Sequence, residues 1–314
     1  MENVQFDNKR SLGNRFRSKL GRYWQLYLLL LLPIIYLLIF HYYPMLGLQI
    51  AFKKYSPSQG IWGGEWVGLA QFQKFFSTYK FVEIVRNTFV ISAYSVIANV
   101  PIPIILALGL NAVRSRKYKK TVQLLSYMPH FISTVVIVSM LMQMFNARVG
   151  IFANILGQFG VEMPDLFASP NAFPHMYVWS GIWQNAGWSS IIYLAALSGV
   201  DPEQHEAAIV DGASRLQRMR YIDLPVIVPT ATILIILNMG RIMSIGFEKV
   251  YLMQNSLNLS ASEIIATYTY KIGLTGNTDY SYATAIGLFN SIVNLVLIVI
   301  TDRISKKISG SGLF

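Results

Sequence analysis

The stretch DPEQHEAAIVDGASRLQRMRYIDLPVIVPT, from Asp201 to Thr230, sets eight charged side chains between two runs that have none, Leu166 to Val200 and Leu224 to Gly240. It is written as two short helices. Asp201 can cap the first, with Pro202 at its first position and Gln204 at its third, and Ser214 with Gln217 repeats the capping-box spacing for the second. Between them Gly212 supplies the left-handed residue that ends a helix. Neither helix has an apolar stripe large enough to fold alone, while Ala207, Ala208 and Ala213 let another protein approach closely. Arg215, Arg218 and Arg220, with Glu203, Glu206 and Asp211, offer a partner charges of both signs to match. The segment reads as a plug for a socket elsewhere.

Outward from this elbow the chain is apolar. Of its 314 residues 54% are hydrophobic and 13% charged, about half the charge of an ordinary soluble domain. Six stretches are long and apolar enough for a bilayer core that needs about 20 helical residues. They are approximately Tyr23 to Tyr43, Asn87 to Val113, Thr121 to Phe145, Phe173 to Leu197, Leu224 to Phe247 and Ala283 to Thr301. The fourth is the weakest, being rich in Trp, Gly, Ser and Asn. The first reads as an uncleaved span, because no charge occurs from Tyr23 to Phe52 and no small-x-small cleavage site follows. Pro101, Pro103 and Pro129 fall inside spans and are expected to kink them. Phe72, Phe75, Phe76 and Tyr79 recur at helical spacing over Gln71 to Phe81, as in a helix lying at the interface or one packed on the neighbouring spans.

Basic residues are retained on the cytoplasmic side of spans. Lys9, Arg10, Arg15, Arg17, Lys19 and Arg22 precede the first span. Arg114, Arg116, Lys117, Lys119 and Lys120 fill the second connection, and Arg303, Lys306 and Lys307 follow the last span. All three regions are placed inside, with the elbow. The connections around Arg148 to Asn171 and Glu248 to Tyr282, poor in basic residues, are placed outside. The long loop from Pro44 to Arg86, with Lys53, Lys54, Lys74 and Lys80, is outside by parity. This topology accounts for the net charge of +11 without nucleic acid, and no nucleic-acid-binding motif accompanies it. Cysteine is absent, which removes disulfides, cysteine-type zinc clusters and thiol nucleophiles. His41, His130, His175 and His205 are scattered without HExxH spacing, so no metal site is expected.

Glu206-Ala207-Ala208, Asp211-Gly212-Ala213 and Ile222-x-Leu224-Pro225 together resemble the EAA loop of permease subunits in binding-protein-dependent ABC importers. Further stretches are similar to the carbohydrate-uptake branch, related to the membrane subunits of the maltose importer. They are Gly68-Leu69 with Phe72, Asn87-Thr88, Pro129-His130-Phe131, Trp183 with Gly187-Trp188, Gly246-Phe247-Glu248, and Thr267-Tyr268 through Tyr280 to Gly287-Leu288-Phe289. The resemblance implies an all-α membrane protein of the type I ABC importer permease fold, with six transmembrane helices and both termini cytoplasmic, in a bacterial cell membrane. It divides the chain into a basic tail (1–22), a first helix with a long extracellular loop (23–86), a core (87–303) with the coupling loop at 201–225, and a C-terminal tail (304–314). Glu206 and Gly212 would anchor a coupling helix, with Ala207 and Ala208 packed on a cytoplasmic ATPase; Glu203, Asp211, Ala213, Leu224 and Pro225 complete that surface. The partners implied are a second permease, two copies of the ATPase, an extracellular solute-binding protein, an oligosaccharide and the bilayer. No Gly is followed by Lys, so there is no GxxxxGK[ST] loop to cradle phosphates. ATP and Mg are expected on the ATPase, and this chain is not expected to be an enzyme.

A sugar pathway needs aromatic faces for pyranose rings, and amides or hydroxyls for their rims. Trp179, Trp183, Gln184, Asn185, Trp188 and Tyr193 in the fourth span, Asn238 in the fifth, and Asn290 and Asn294 in the sixth supply that chemistry. The same groups could instead join helices to one another. Arg241, the single charge in the fifth span, could meet a substrate carboxylate, or snorkel or pair with Glu248. Comparing acidic with neutral sugar transport by Arg241→Gln separates these, since equal loss of both removes the carboxylate role. An ion-coupled secondary transporter or channel is the alternative reading, but the span interiors offer no Asp or Glu for a coupling ion. A membrane enzyme is disfavoured because no catalytic cluster of His, Asp or Glu occurs.

Overall fold

A computed structural model describes residues 23–240, 242–244, 246–275 and 278–309. Both terminal tails expected to carry basic charge lie wholly (1–22) or partly (310–314) outside these residues. Helix α1 (Trp24–Phe52) passes Pro33 and relaxes through a π-helical turn at Leu38–Tyr42, as helices do where a proline removes a backbone donor. Its end packs on the last helix, α13 (Tyr280–Ser309). A short hairpin pairs β1 (Lys53–Lys54) with β2 (Glu65–Trp66). Helix α2 (Ala70–Phe76) follows. Its Phe75 is fully buried against Ile84, Tyr282 and Ile286, with Phe81 and Phe289 edge-on at 5.0 and 5.4 Å. Phe75 of the aromatic stripe is thus core packing, Phe72 is half-buried, and Phe76 and Tyr79 stand exposed.

Helix α3 (Phe81–Ala112) runs through Pro101 and Pro103. The third expected span is not one helix. α4 (Arg116–Phe131) and α5 (Thr134–Met144) meet at 101°, because Pro129 tightens the chain into a 3₁₀ turn, Ile132 is extended, and Ser133 caps a new helix by accepting from the Val136 amide. Helix α6 (Ile151–Gln158) is followed by α7 (Phe173–Leu197), 25 residues long. The elbow contributes α8 (Pro202–Val210). The fifth expected span also differs from expectation: α9 (Arg215–Met239) begins inside the elbow and absorbs its second short helix. A π-helical turn at Met219–Asp223 keeps it continuous up to Leu224. It ends at Met239, eight residues before the expected boundary at Phe247. Helices α10 (Phe247–Met253), α11 (Leu259–Ser262) and α12 (Ile265–Leu274) lead back to α13.

Helices α1, α3, α9 and α13 are long and apolar enough to cross a bilayer, and the bent pair α4 and α5 makes a fifth crossing if counted as one. The polar and aromatic residues of α7 leave it less apolar than these. Helix α7 is the hub of the core, packing on α3, α4 and α9. Gly187 sets its closest approach: a Cβ there would stand 2.0 Å from the Ser126 carbonyl oxygen.

Candidate functional site

The elbow is built by its own caps. The Asp201 carboxylate accepts from the Glu203 amide at 3.0 Å and starts α8. Gly212 ends it with φ of 77°, a region that side-chain-bearing residues rarely adopt. The Gly212 amide donates to Ile209 O at 3.0 Å and the Ala213 amide to Ala208 O at 2.8 Å, the paired bonds of a Schellman turn. Ser214 and Gln217 form the reciprocal capping box that opens α9.

No residue of α8 is buried. Glu203, Glu206, Ala207, Asp211, Gly212, Leu224 and Pro225 are exposed, and Ala208 and Ala213 half-buried. Val210 is 87% and Leu216 74% exposed. One buried carboxylate holds this surface in place: Asp223 Oδ1 lies 3.1 Å from His205 Nε2 and accepts from Asn111 Nδ2 at 3.4 Å.

Between the helices a cavity of about 400 Å³ is lined by Ser92, Ser95 and Asn99 of α3, Asn185, Ser189 and Tyr193 of α7, and Asn238 of α9. Ser92 Oγ and Ser95 Oγ are buried without a hydrogen-bond partner. Val96, Val100, Pro103, Ile192, Leu234 and Ile242 complete the wall, so three expected pathway residues, Asn185, Tyr193 and Asn238, line one chamber of mixed polar and apolar surface. Ser92, Ser95, Asn99 and Ser189 were missed, although the first three share one face at helical spacing.

The other expected residues lie elsewhere. Trp179 and Trp183 line a second, apolar groove of about 410 Å³ with Ile137, Met140 and Met144, and Trp179 Nε1 donates to Tyr94 OH at 2.8 Å. Gln184 and Trp188 face the break in the third span. Gln184 Nε2 donates to Ile132 O at 3.1 Å. The Trp188 ring stacks on His130 at 4.7 Å, whose Nδ1 is 3.0 Å from Asn185 Oδ1. Asn294 Oδ1 accepts from the Met243 amide at 3.0 Å, joining α13 to the turn after α9. Asn290 Oδ1 is buried and unpaired. Arg241 lies outside the described residues. Among the described residues no group of His, Asp and Glu could hold a metal ion.

At the start of α3, the end remote from Asn111 and the elbow, Glu263 is buried between Lys80 and Lys271. Burial alone would raise its carboxyl pKa, but the hydrogen bonds from Lys80 and Lys271 outweigh burial and hold it below its ordinary value.

Comparison with known proteins bears on the elbow and the chamber together. Residues 99–310 match the family model of the binding-protein-dependent transport system inner membrane component. Protein LplB of Bacillus subtilis (strain 168) is 43% identical, covering 96% of this chain and 95% of its own length. The polygalacturonan/rhamnogalacturonan transport system permease protein YteP of the same organism is 41% identical, covering 98% of this chain and 95% of its own. The crystal structure of a bacterial ABC transporter involved in the import of the acidic polysaccharide alginate contains a chain that superposes with a TM-score of 0.87 at 38% identity, covering 94% of this chain and 99% of that one. In a second structure, the alginate transporter in complex with an alginate pentasaccharide-bound periplasmic protein, the TM-score is again 0.87 at 37% identity, covering 95% of this chain and 100% of the other.

Proposed function

The chain belongs to the binding-protein-dependent transport system inner membrane components, and from that premise we propose that its chamber passes an oligosaccharide while its elbow takes up the motion of a separate ATPase. It is a multi-pass inner-membrane permease of a sugar ABC importer. Nothing among these observations favours ion-coupled transport.

The observation that carries the coupling role is α8, a capped helix with no buried residue that displays Val210, and beside it Leu216, to solvent. Exposed apolar side chains on a rigid, charge-flanked helix call for a protein surface to cover them. Glu206, Ala207, Ala208 and Gly212 would form the centre of that contact, with Glu203, Asp211 and Ala213 around it and Leu224 and Pro225 at its base. ATP and Mg would be bound by the partner, and hydrolysis would occur there.

The full assembly would pair this chain with a second permease, two ATPase copies and an extracellular binding protein. Its own span count would be six, with α4 and α5 as one broken crossing, α7 as another, and both termini cytoplasmic. Serine, asparagine and tyrosine around the chamber suit sugar hydroxyls. Uronate oligosaccharides are the favoured cargo, because YteP is a polygalacturonan/rhamnogalacturonan permease and the superposed transporter imports alginate.

The chain has no native cysteine, so Ala207→Cys gives a single attachment point. We expect a crosslink from it to a nucleotide-binding subunit, in a complex whose ATP hydrolysis rises when binding protein loaded with galacturonate or alginate oligosaccharides is added. Full transport by a preparation lacking any ATPase would end the reading; stimulation by neutral oligosaccharides alone would end its uronate part.

A further inference from the structure

Asp223 is an acidic side chain 3% exposed at the cytosolic end of a membrane helix, where burial of a charge is costly unless it is bound on several sides. It is bound by two other helices. His205 reaches it from α8, and Asn111 from the end of α3. A carboxylate only accepts, so His205 Nε2 carries the proton in that bond whatever the charge of the ring. Asp223 itself closes the π-helical turn Met219–Asp223 of α9. Such turns insert one residue and re-aim the side chains beside them, and they recur at functional sites.

Among the described residues, no other side-chain hydrogen bond runs from α8 to a residue beyond its own caps, and α8 packs closely on no other element. Whatever moves α8 therefore acts on the spans through the chain at its two ends, residues 198–201 from α7 and Gly212 into α9, and through this carboxylate, which alone reaches α3.

We propose that Asp223 is the pivot of the elbow, a positioning residue that makes α8, α9 and the end of α3 move as one body, with His205 and Asn111 as its two attachments. This rests on the coupling role proposed above. Without the pivot, α8 follows the ATPase while α3 lags behind.

The test uses the complete importer with paired spin labels at Gln204→Cys on α8 and Val113→Cys beside α3, compared without nucleotide and after trapping with ATP and vanadate. With His205 intact the distance between labels stays constant. In His205→Ala it changes by roughly 2–5 Å, the scale of helix shifts in switching proteins. His205 is partly exposed and Asn111 still donates to Asp223 without it, so the fold persists at some cost in stability. His205→Gln, which keeps an N–H for the carboxylate, restores the constant distance. A constant distance in His205→Ala, or a glutamine variant that behaves like alanine, overturns the pivot. If a crosslinker at Ala207→Cys captures no ATPase in the otherwise unaltered importer, the coupling role falls first and the pivot with it.

Discussion

The two ends of the molecule are held together in different ways. At the end that holds Glu263, polar groups are buried and paired within the chain. Glu263, 2% exposed, is clasped by two lysines. Asn258, fully buried, donates to Phe167 O at 2.8 Å and Met253 O at 3.0 Å and accepts from Ser262 Oγ at 2.7 Å. Asn87 reaches Ser260 O at 2.8 Å. At the elbow end α8 buries nothing, and one carboxylate ties it down. The Glu263 end is finished by its own residues, whereas the elbow leaves its surface uncovered. Substitutions around Glu263 should therefore cost stability, and substitutions in the elbow should cost coupling.

The sharpest break in this contrast would come from Glu263→Ala, which leaves Lys80 and Lys271 without their shared acceptor. Lys80 and Lys271 are partly exposed, so the loss is that of hydrogen bonds to a charged group, about 1.5–3 kcal/mol, expected here as faster amide exchange throughout α12 with exchange in α8 unchanged. Acid should act in the same direction. The Glu263 pKa is depressed below 4.5, so its contribution is complete above that pH and is lost as pH falls through the depressed value. Exchange in α12 that ignores pH below 4.5 would count against the clasp.

Gly187→Ala comes next, because its Cβ would meet backbone rather than a yielding side chain. About 2 kcal/mol is expected, read as a lower melting temperature of the detergent-purified chain. An unchanged melting temperature would mean that α4 is free to move away from α7.

In the elbow, Gly212→Ala forces a side chain into the left-handed region at a cost of about 1–2 kcal/mol, although the space around it is open. Uptake per ATP hydrolysed should fall with a smaller drop in melting temperature than in Gly187→Ala, and the reverse pattern would erase the contrast between the ends. Smallest is Ser214→Ala, where loss of a capping box costs about 1 kcal/mol. Its signature is faster exchange of the Gln217 amide alone.

Hydropathy and capping rules located the elbow to the residue, because caps are local: Asp201, Gly212 and Ser214 each act within a few positions of themselves. The break in the third span was only half legible. Pro129 predicts a kink, but a bend of 101° also needed Ser133 to start a new helix and Gln184, 52 residues away, to donate to the freed carbonyl of Ile132. The start of α9 was misplaced because Leu224-Pro225 looks like a first turn, and a π turn that bridges it leaves no mark in composition. Within α7, side-chain chemistry identified polar and aromatic residues but not their facing. Asn185 and Tyr193 point to the mixed chamber while Trp179 and Trp183 point to an apolar groove, a distinction set by the positions of α3, α5 and α9.

The continuity of α9 from the capping box to Met239 has one more result. A rod of 25 residues is about 37 Å long and carries the elbow at one tip and Asn238 of the chamber at the other. Tilted by about 10° around its middle, such a rod displaces its tips by roughly 3 Å in opposite directions. A pull toward the molecular axis at the elbow tip would swing the Asn238 tip the other way, so one rocker narrows the bundle at one end while it widens it at the other.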